Sequence, residues 1–248
     1  MKTTIQLLSI LLLLSNYIFA QDYLPSKVDD HQIEEYTQYT LSYNEQHEQP
    51  DWVFYELTKS EVLNKRDRCK RCFDEDPRIT TGSATLEDYR SSGFDRGHLS
   101  PSADNYLSDA NNRESFLMSN MSPQLPSFNQ GIWADLEEYV RKMAIQHEKV
   151  YVTTGPVFQN NLGAIGENKV TIPGYYYKVL LRFDDGKPKA IGFLLPHFGA
   201  VGEIRDYVVP VNTIETLTGI DFFTDLGSKE NSIESKDDLG PWGLKKMK

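Results

Sequence analysis

The chain has 248 residues, of which 39% are hydrophobic and 25% are charged, and its 36 acidic against 26 basic residues give a formal net charge of −10 at pH 7. This length allows one large domain or two small ones. Because phosphate contacts come from Lys and Arg, the acidic balance argues against a broadly basic nucleic-acid-binding surface, although a local basic site remains compatible with it.

The first 20 residues have the pattern of a signal peptide. Lys2 precedes an apolar run from Ile5 to Leu14, and Ala20 supplies a small residue at a cleavage position. The alternative is a buried N-terminal helix, which these flanks do not favour. The run is too short to be a stable membrane anchor, and no Cys follows it for lipid attachment. We therefore predict an exported protein, periplasmic or extracellular, without stable membrane association.

The next elements follow in chain order. Residues 21–50 are polar and acidic and are predicted to form an N-terminal leader arm. The stretch 51–62 begins with β-forming residues and predicts an edge strand. We place the main domain at residues 51–225.

The clearest helix is predicted from Phe128 to His147. Ser127 and Gln130 fit a capping box at its start. Its apolar residues recur at intervals of three and four and form one stripe: Ile132, Trp133, Leu136, Val140, Met143 and Ala144.

Three β-rich stretches follow this helix, at residues 149–158, 169–183 and 189–196. A short helix is predicted over Thr213 to Thr218, ended by Gly219. Helices among hairpin-linked strands indicate an α+β fold with a mostly antiparallel sheet. The tail, residues 226–248, is predicted to be irregular and exposed.

The only two cysteines are Cys69 and Cys72. In an exported protein, this spacing favours a structural disulfide that closes a tight loop. A catalytic redox pair would need a βαβ context, which the surrounding sequence does not have. Two cysteines also cannot form a closed four-ligand zinc site without histidine partners.

The tetrapeptide Asp95-Arg96-Gly97-His98 combines residues that neither a core strand nor a solvated loop requires. Gly97 allows close backbone approach, Arg96 can bind a phosphate or carboxylate through two donors, and neutral His98 is a candidate general base. The four other histidines show no partner pattern in the sequence. From these residues alone, a functional site and a salt-bridged turn are equally supported.

Asn129 and Glu137 lie in the predicted helix, two turns apart and on one broad side. An amide oxygen and a carboxylate so placed suit a hard cation such as Mg²⁺, which keeps most of its waters. The alternative, a capping Asn129 and a solvated Glu137, is favoured when the segment is considered alone.

Taken together, these segments resemble the DNA/RNA non-specific endonuclease family, which includes mitochondrial endonuclease G and secreted bacterial nucleases. The resemblance is carried by three stretches: "DYRSSGFDRGHLSPSADN", "FLMSNMSPQLPSFNQGIWADLEEYVR" and "VYVTTGPVF". It extends more loosely through "VTIPGYYYKVLL" and "TGIDFF", and so covers roughly residues 50 to 225.

The resemblance implies a ββα-metal (His-Me finger) fold with a central, mostly antiparallel sheet flanked by helices. It matches His98 to the general base, Asn129 to the direct ligand of a hydrated metal, and Glu137 to the carboxylate that orients a metal-bound water. Arg96 and Arg141 match arginines around the phosphate. Asn120 and Gln124 match supporting positions, and Asp95 is expected to maintain the local fold.

The resemblance further implies hydrolysis of DNA and RNA backbones with little sequence specificity, leaving 5′ phosphates. Mg²⁺ is the expected cofactor, with Mn²⁺ as a possible substitute, and a homodimer is a possible assembly.

One region departs from the family pattern. The cysteine pair lies beside Arg71, which we assign, on a weaker alignment, as the upstream phosphate-binding arginine. The surrounding basic residues predict either an electropositive approach for nucleic acid or an ordinary solvated charge run; they are Lys65, Arg66, Arg68, Lys70 and Arg71.

Two other functions remain as alternatives: an inactive relative that only binds nucleic acid or protein, and a thiol oxidoreductase. The presence of His98, Asn129 and Glu137 together favours the enzyme.

Overall fold

The computed structural model describes residues 23–28, 30–64 and 67–245. The predicted signal peptide lies outside these residues, as do Lys65 and Arg66 of the basic run. No helix in the described ranges has the length and apolar character needed to cross a membrane.

The described residues form eleven strands and seven α-helices. The strands are β1 Gln32–Glu35, β2 Thr40–Asn44, β3 Gln49–Thr58, β4 Asp95–His98, β5 Met121–Gln124, β6 Lys149–Val157, β7 Ala164–Ile165, β8 Val170–Thr171, β9 Tyr175–Asp184, β10 Lys187–Pro196 and β11 Val208–Val209. The helices are α1 Lys59–Leu63, α2 Leu86–Tyr89, α3 Asp109–Glu114, α4 Pro126–Asn129, α5 Ile132–His147, α6 Val211–Thr218 and α7 Glu230–Glu234.

Seven of the described strands form one sheet in the order β1-β2-β3-β6-β9-β10-β11. Every neighbouring pair in it is antiparallel. Alternation along β3 sends Val53 and Tyr55 to the face covered by α5, and Trp52 and Phe54 to the face covered by α6. The predicted α+β class with a mostly antiparallel sheet and flanking helices is therefore confirmed.

The leader-arm prediction was wrong for much of residues 21–50, because β1 and β2 belong to the main sheet. The polar composition concealed a short alternation in which Tyr39, Leu41 and Tyr43 are buried. The edge-strand prediction for residues 51–62 was wrong for the same reason. With β2 added outside it, β3 lies in the interior of the sheet and ends at Thr58, where α1 begins.

The long helix was predicted with the correct end but without its interruption. Gln130 and Gly131 separate α4 from α5, and neither helix has a side-chain N-cap, so the capping box of Ser127 and Gln130 does not form. A Cβ at Gly131 would lie 2.4 Å from the Ser127 carbonyl oxygen, which explains the glycine at the break.

Of the predictions for the C-terminal elements, one was right and one was wrong. Helix α6 ends at Thr218, and Gly219 follows in the left-handed conformation (φ 73°), as predicted. The tail is not simply irregular and exposed: α7 lies within it, and both Ile233 and Trp242 are buried. A few apolar residues are enough to anchor an otherwise polar segment.

Candidate functional site

Strands β4 and β5 form a separate two-stranded antiparallel sheet that leads directly into α4. The tetrapeptide is thus a strand, with Gly97 opposite Ser122 and His98 opposite Met121. A Cβ on Gly97 would lie 2.3 Å from the side chain of Gln124, so the glycine is required for the two strands to pack. Two strands followed by a helix place His98 close in the fold to the helix that carries Asn129.

His98 is 9% exposed and is enclosed by aromatic rings. Its ring centroid lies 4.8 Å from that of Phe116 and 5.7 Å from that of Phe73. Burial, followed by the charges of Arg68 and Arg96, lowers the pKa of His98 to about 3. The imidazole is therefore neutral at physiological pH and able to accept a proton.

The Nε2 atom of His98 has no hydrogen-bond partner in the described part of the protein. A buried polar atom left unpaired costs about 1–3 kcal/mol. Nε2 of His98 is therefore a buried nitrogen whose hydrogen-bonding capacity none of the described residues uses.

A polar cavity of about 610 Å³ is lined by Phe73 and Arg96, which lie near His98, whereas His98 itself is not part of the lining. Three arginines line it, together with the amides of Asn129 and Gln130, the carboxylate of Asp95 and several apolar side chains. The arginines are Arg68, Arg90 and Arg96. In a chain of net charge −10, this concentration of guanidinium groups makes the cavity locally positive, an environment that favours an anion.

The Asn129 amide is held in one orientation. Its Nδ2 donates to Asp95 Oδ2 at 2.9 Å, and Gln130 Nε2 donates to the same oxygen at 2.9 Å. Among the described residues, no group donates a hydrogen bond to Asn129 Oδ1. Asp95 thus fixes the amide so that its oxygen is available as a ligand.

The carboxylate of Glu137 belongs to a buried charge network. Burial raises its pKa, as does Asp104, whereas Lys178 and Arg141 oppose this rise. Lys178 is fully buried, with Nζ 4.6 Å from the centroid of the Trp133 ring and without a hydrogen-bond partner in the described structure. Burial lowers the pKa of Lys178, while the two carboxylates raise it.

Arg141 forms an ion pair in this network. Its Nη1 lies 3.1 Å from Oδ1 of Asp104, whose other oxygen accepts a hydrogen bond from Tyr55 at 3.1 Å. Arg141 does not line the cavity. The structure therefore brings Arg141 to Glu137, whose pKa is also lowered by the charge of Arg68.

The upstream arginine in the cavity is Arg68, not Arg71. The Arg68 guanidinium lies 5.3 Å from the centroid of the Phe116 ring, and that of Arg96 lies 4.2 Å from the centroid of the Phe73 ring. Arg71 is exposed, has a positive φ of 60° and does not line the cavity. The tight loop closed by the Cys69–Cys72 disulfide accounts for this exchange, because it turns the chain between the two arginines.

The supporting residues can also be placed. Asn120 donates to the carbonyls of Ser100 and Ser115 and accepts from the Ser100 amide, so it joins the chain after β4 to the turn before β5. His197 accepts from the Leu125 amide at 2.8 Å and bonds to the Pro173 carbonyl at 2.9 Å. His197 thereby holds the start of α4, a role for which the sequence contained no signal.

Sequence reasoning missed three residues of this region: Arg68, Asp104 and Lys178. Arg68 was present in the basic run, but nothing distinguished it from its neighbours. Asp104 lies inside the recognised stretch, and its complete burial could not be foreseen from a polar loop. A lysine within the apolar strand β9 was the one available signal for Lys178.

No group of three or more His, Cys, Asp or Glu residues in the described ranges could hold a metal ion. A hydrated divalent cation has a smaller requirement, since Mg²⁺ keeps several waters and takes few protein ligands. The free Asn129 oxygen in a roomy polar cavity meets that requirement.

The family model and the two relatives described next are all nucleases by name. The family model described as DNA/RNA non-specific endonuclease matches residues 19–229. A protein named nuclease from Nostoc is 33% identical over 81% of this chain and 77% of its own length. Human mitochondrial nuclease EXOG is 34% identical over 77% of this chain and 56% of its own length.

A solved structure shows the same fold. A chain in the crystal structure of the EndoG/EndoGI complex, a study of EndoG inhibition, superimposes with a TM-score of 0.73 at 30% identity. The match covers 80% of this chain and 88% of that one.

Proposed function

Because this chain belongs to the DNA/RNA non-specific endonuclease family, we propose that it hydrolyses phosphodiester bonds of DNA and RNA with little sequence specificity, leaving 5′ phosphates. One observation carries the assignment of the base: His98 is buried and neutral, and its Nε2 is unpartnered in the described structure. In this mechanism, His98 accepts the proton of the attacking water. Protonated His98 carries a positive charge beside the substrate phosphate. The negative charge of the phosphate offsets the repulsion that His98 experiences from the nearby arginines.

The arginines of the cavity bind the phosphate. Arg68 and Arg96 donate to the phosphoryl oxygens and stabilise the negative charge that increases in the transition state. Arg90, on the same cavity, contacts a neighbouring phosphate of the strand. Contacts with the backbone carry no sequence information, which accounts for the proposed lack of specificity.

Asn129 would hold the divalent cation, with Mg²⁺ the proposed ion and Mn²⁺ a substitute. When bound, such a cation neutralises phosphate charge and assists departure of the 3′ oxygen. Asp95 orients the Asn129 amide, and Glu137 would hold a water of the cation's hydration shell. Lys178 and Arg141 support Glu137 by opposing its protonation.

The remaining features of the proposal concern the protein's setting. We propose that residues 1–20 direct export and that the mature protein acts in the periplasm or outside the cell. The Cys69–Cys72 bond suits such an oxidising compartment. A homodimer is the proposed assembly, in keeping with the family resemblance.

Supercoiled plasmid nicking by the purified mature protein tests this function. Nicking is expected with Mg²⁺ or Mn²⁺ and is expected to stop with EDTA. His98→Ala should reduce the rate by about 10²–10⁴-fold, the usual contribution of a general base. His147→Gln, at the far end of α5, is the matched control and should retain activity. A folded protein that binds DNA without nicking it under any metal would instead support the binding-only alternative.

A further inference from the structure

A second cavity, of about 280 Å³, lies at the start of β10 and beneath α7. Four lysines line it, with Asp238 as the one acidic residue of the lining. They are Lys187, Lys189, Lys229 and Lys236. We refer to these four residues and the space they enclose as the lysine cavity.

The fold separates the charges around α7. Lys229, Ser232, Ile233 and Lys236 follow helical spacing and line the cavity from one side. Glu230 and Glu234 lie among other carboxylates, Glu215 and Asp221. Burial, followed by the charges of these neighbours, raises the pKa of Glu234 to about 8. The acidic residues of this helix are therefore turned away from the lysines.

None of the four lysines forms an ion pair with a carboxylate of the described residues, in contrast to Lys59, Lys142 and Lys149, which do. Asp238 is already engaged, because its Oδ1 accepts a hydrogen bond from the Gly240 amide at 3.1 Å. The lining thus carries four positive charges against one negative charge in a chain of net charge −10.

The walls of the lysine cavity are structured. Trp242 is 1% exposed, and its indole Nε1 donates to the Ala190 carbonyl of β10 at 3.2 Å. Ser232 Oγ donates to the Lys229 carbonyl at 2.7 Å. Lys187 and Lys189 therefore lie on a packed strand, and Lys229 and Lys236 flank the helix α7.

We refer to the polar cavity lined by Arg68, Arg96 and Asn129 as the catalytic cavity. The lysine cavity is distant from it. It lies at the beginning of the ten-residue strand β10, whereas His197, which holds α4, follows the end of that strand. At about 3.3 Å per residue, the two ends of β10 are roughly 30 Å apart. A single short oligonucleotide cannot occupy both places.

We propose that the lysine cavity is a second nucleic-acid site, which binds backbone phosphates of a substrate strand whose scissile phosphate lies in the catalytic cavity. This inference rests on the proposed function, since that function supplies the polyanion. Converging, unpaired ammonium groups on a packed surface fit successive phosphates, and release of the counterions of those phosphates contributes to binding. The site lengthens the footprint of the enzyme beyond its active centre.

The test measures binding without catalysis, by fluorescence anisotropy in EDTA with protein that carries His98→Ala. The probe is a labelled single-stranded DNA of 40 nucleotides. Replacing the four lysines with glutamine is expected to weaken binding about tenfold at 0.1 M salt. The slope of log K against log[salt] should become shallower by about one for each phosphate that the variant no longer binds. A tetranucleotide competitor, too short to reach both cavities, should lose little affinity for the variant, because its binding at the catalytic cavity is unchanged.

A matched variant removes the same amount of charge elsewhere, with glutamine at Lys27, Lys59, Lys142 and Lys169. It should bind the 40-mer like the parent. An equal loss of affinity in this control would show that the effect comes from net charge alone and would overturn the proposal. Unchanged binding by the lysine-cavity variant would overturn it as well. If the quadruple variant does not fold, Lys229→Gln with Lys236→Gln, both exposed, provides the same comparison with a smaller effect.

The two proposals fail in different ways. If wild-type protein nicks plasmid but the lysine-cavity variant binds the 40-mer normally, only the second site is excluded. If wild-type protein neither nicks plasmid nor binds the 40-mer, the proposed function itself is wrong.

Discussion

His98 shows how one buried residue links chemistry with stability. Its low pKa arises first from burial and then from Arg68 and Arg96, so the surroundings that keep the base neutral also penalise its protonation in the folded state. The unfolded chain has no such penalty, and its histidine titrates near 6.5. Between the two pKa values the unfolded state binds more protons, so this contribution to stability is full above pH 6.5 and is lost as the pH falls toward 3.

We therefore expect the wild-type protein to lose about 2 kcal/mol more stability between pH 7 and pH 5 than His98→Asn does. Urea unfolding of both proteins at the two pH values measures the difference. Other titrating groups are common to both proteins and cancel in the comparison. Parallel pH dependences would show that burial of His98 imposes no proton-linked cost.

Arg68 and Arg71 form a second test at the residue scale. Both side chains are exposed, but Arg68 lines the cavity and contributes to the low pKa of His98, whereas Arg71, on the disulfide loop, does not line it. Removing a charged donor from a transition-state site costs about 10²–10³-fold in rate. Arg68→Ala should lose that much plasmid-nicking activity and Arg71→Ala less than twofold. The reverse order would restore the assignment made from the sequence.

At the scale of elements, the interruption between α4 and α5 determines where Asn129 lies. A continuous helix would place Asn129 and Glu137 on one rigid surface, whereas the break at Gly131 gives each helix its own direction. Asn129 follows the β4–β5 sheet through its hydrogen bond to Asp95, and Glu137 follows α5 into the charge network. The positions of Asn129 and Glu137 are thus set by different neighbours.

Gly131→Ala should disrupt this arrangement, because the new Cβ would lie 2.4 Å from the Ser127 carbonyl oxygen in α4. We expect a stability cost of about 1–3 kcal/mol and a disproportionate loss of activity through displacement of Asn129. Thermal melts and nicking rates, measured on the same preparation, test this. Ala134→Gly, within α5, is the control: it should cost about 1 kcal/mol and leave the rate of the folded protein unchanged.

At the scale of the whole molecule, the C-terminal segment completes the core. Trp242 packs in the cluster beneath α5, its carbonyl accepts a hydrogen bond from Tyr139 at 2.6 Å, and the Arg182 guanidinium lies 4.8 Å from the centroid of its ring. The segment also forms one wall of the lysine cavity. The folded unit therefore extends beyond residue 225, the limit assigned from the sequence.

Trp242→Ala is expected to destabilise the protein by about 3–5 kcal/mol, the usual cost of removing a large buried aromatic side chain. Chemical unfolding of the variant and of the wild-type protein measures this difference in the free energy of unfolding. Lys245→Ala, exposed and near the same end, should remain within about 0.5 kcal/mol of wild type. A small effect of Trp242→Ala would show that the tail contributes little to stability, as its composition suggested.

The sequence alone determined the α+β class, α6 with its glycine stop and the end of the long helix, and it singled out His98, Asn129, Arg96 and Glu137 as candidates for the site. These depend on local periodicity and on short motifs, in which each residue type is tied to its chemistry. Only the tertiary structure decided that β1 and β2 complete the sheet, that Arg68 replaces Arg71 on the cavity, and that Asp104 and Lys178 surround Glu137. The physical reason is that burial and electrostatic neighbours are set by contacts between residues far apart in the chain, which local patterns do not encode.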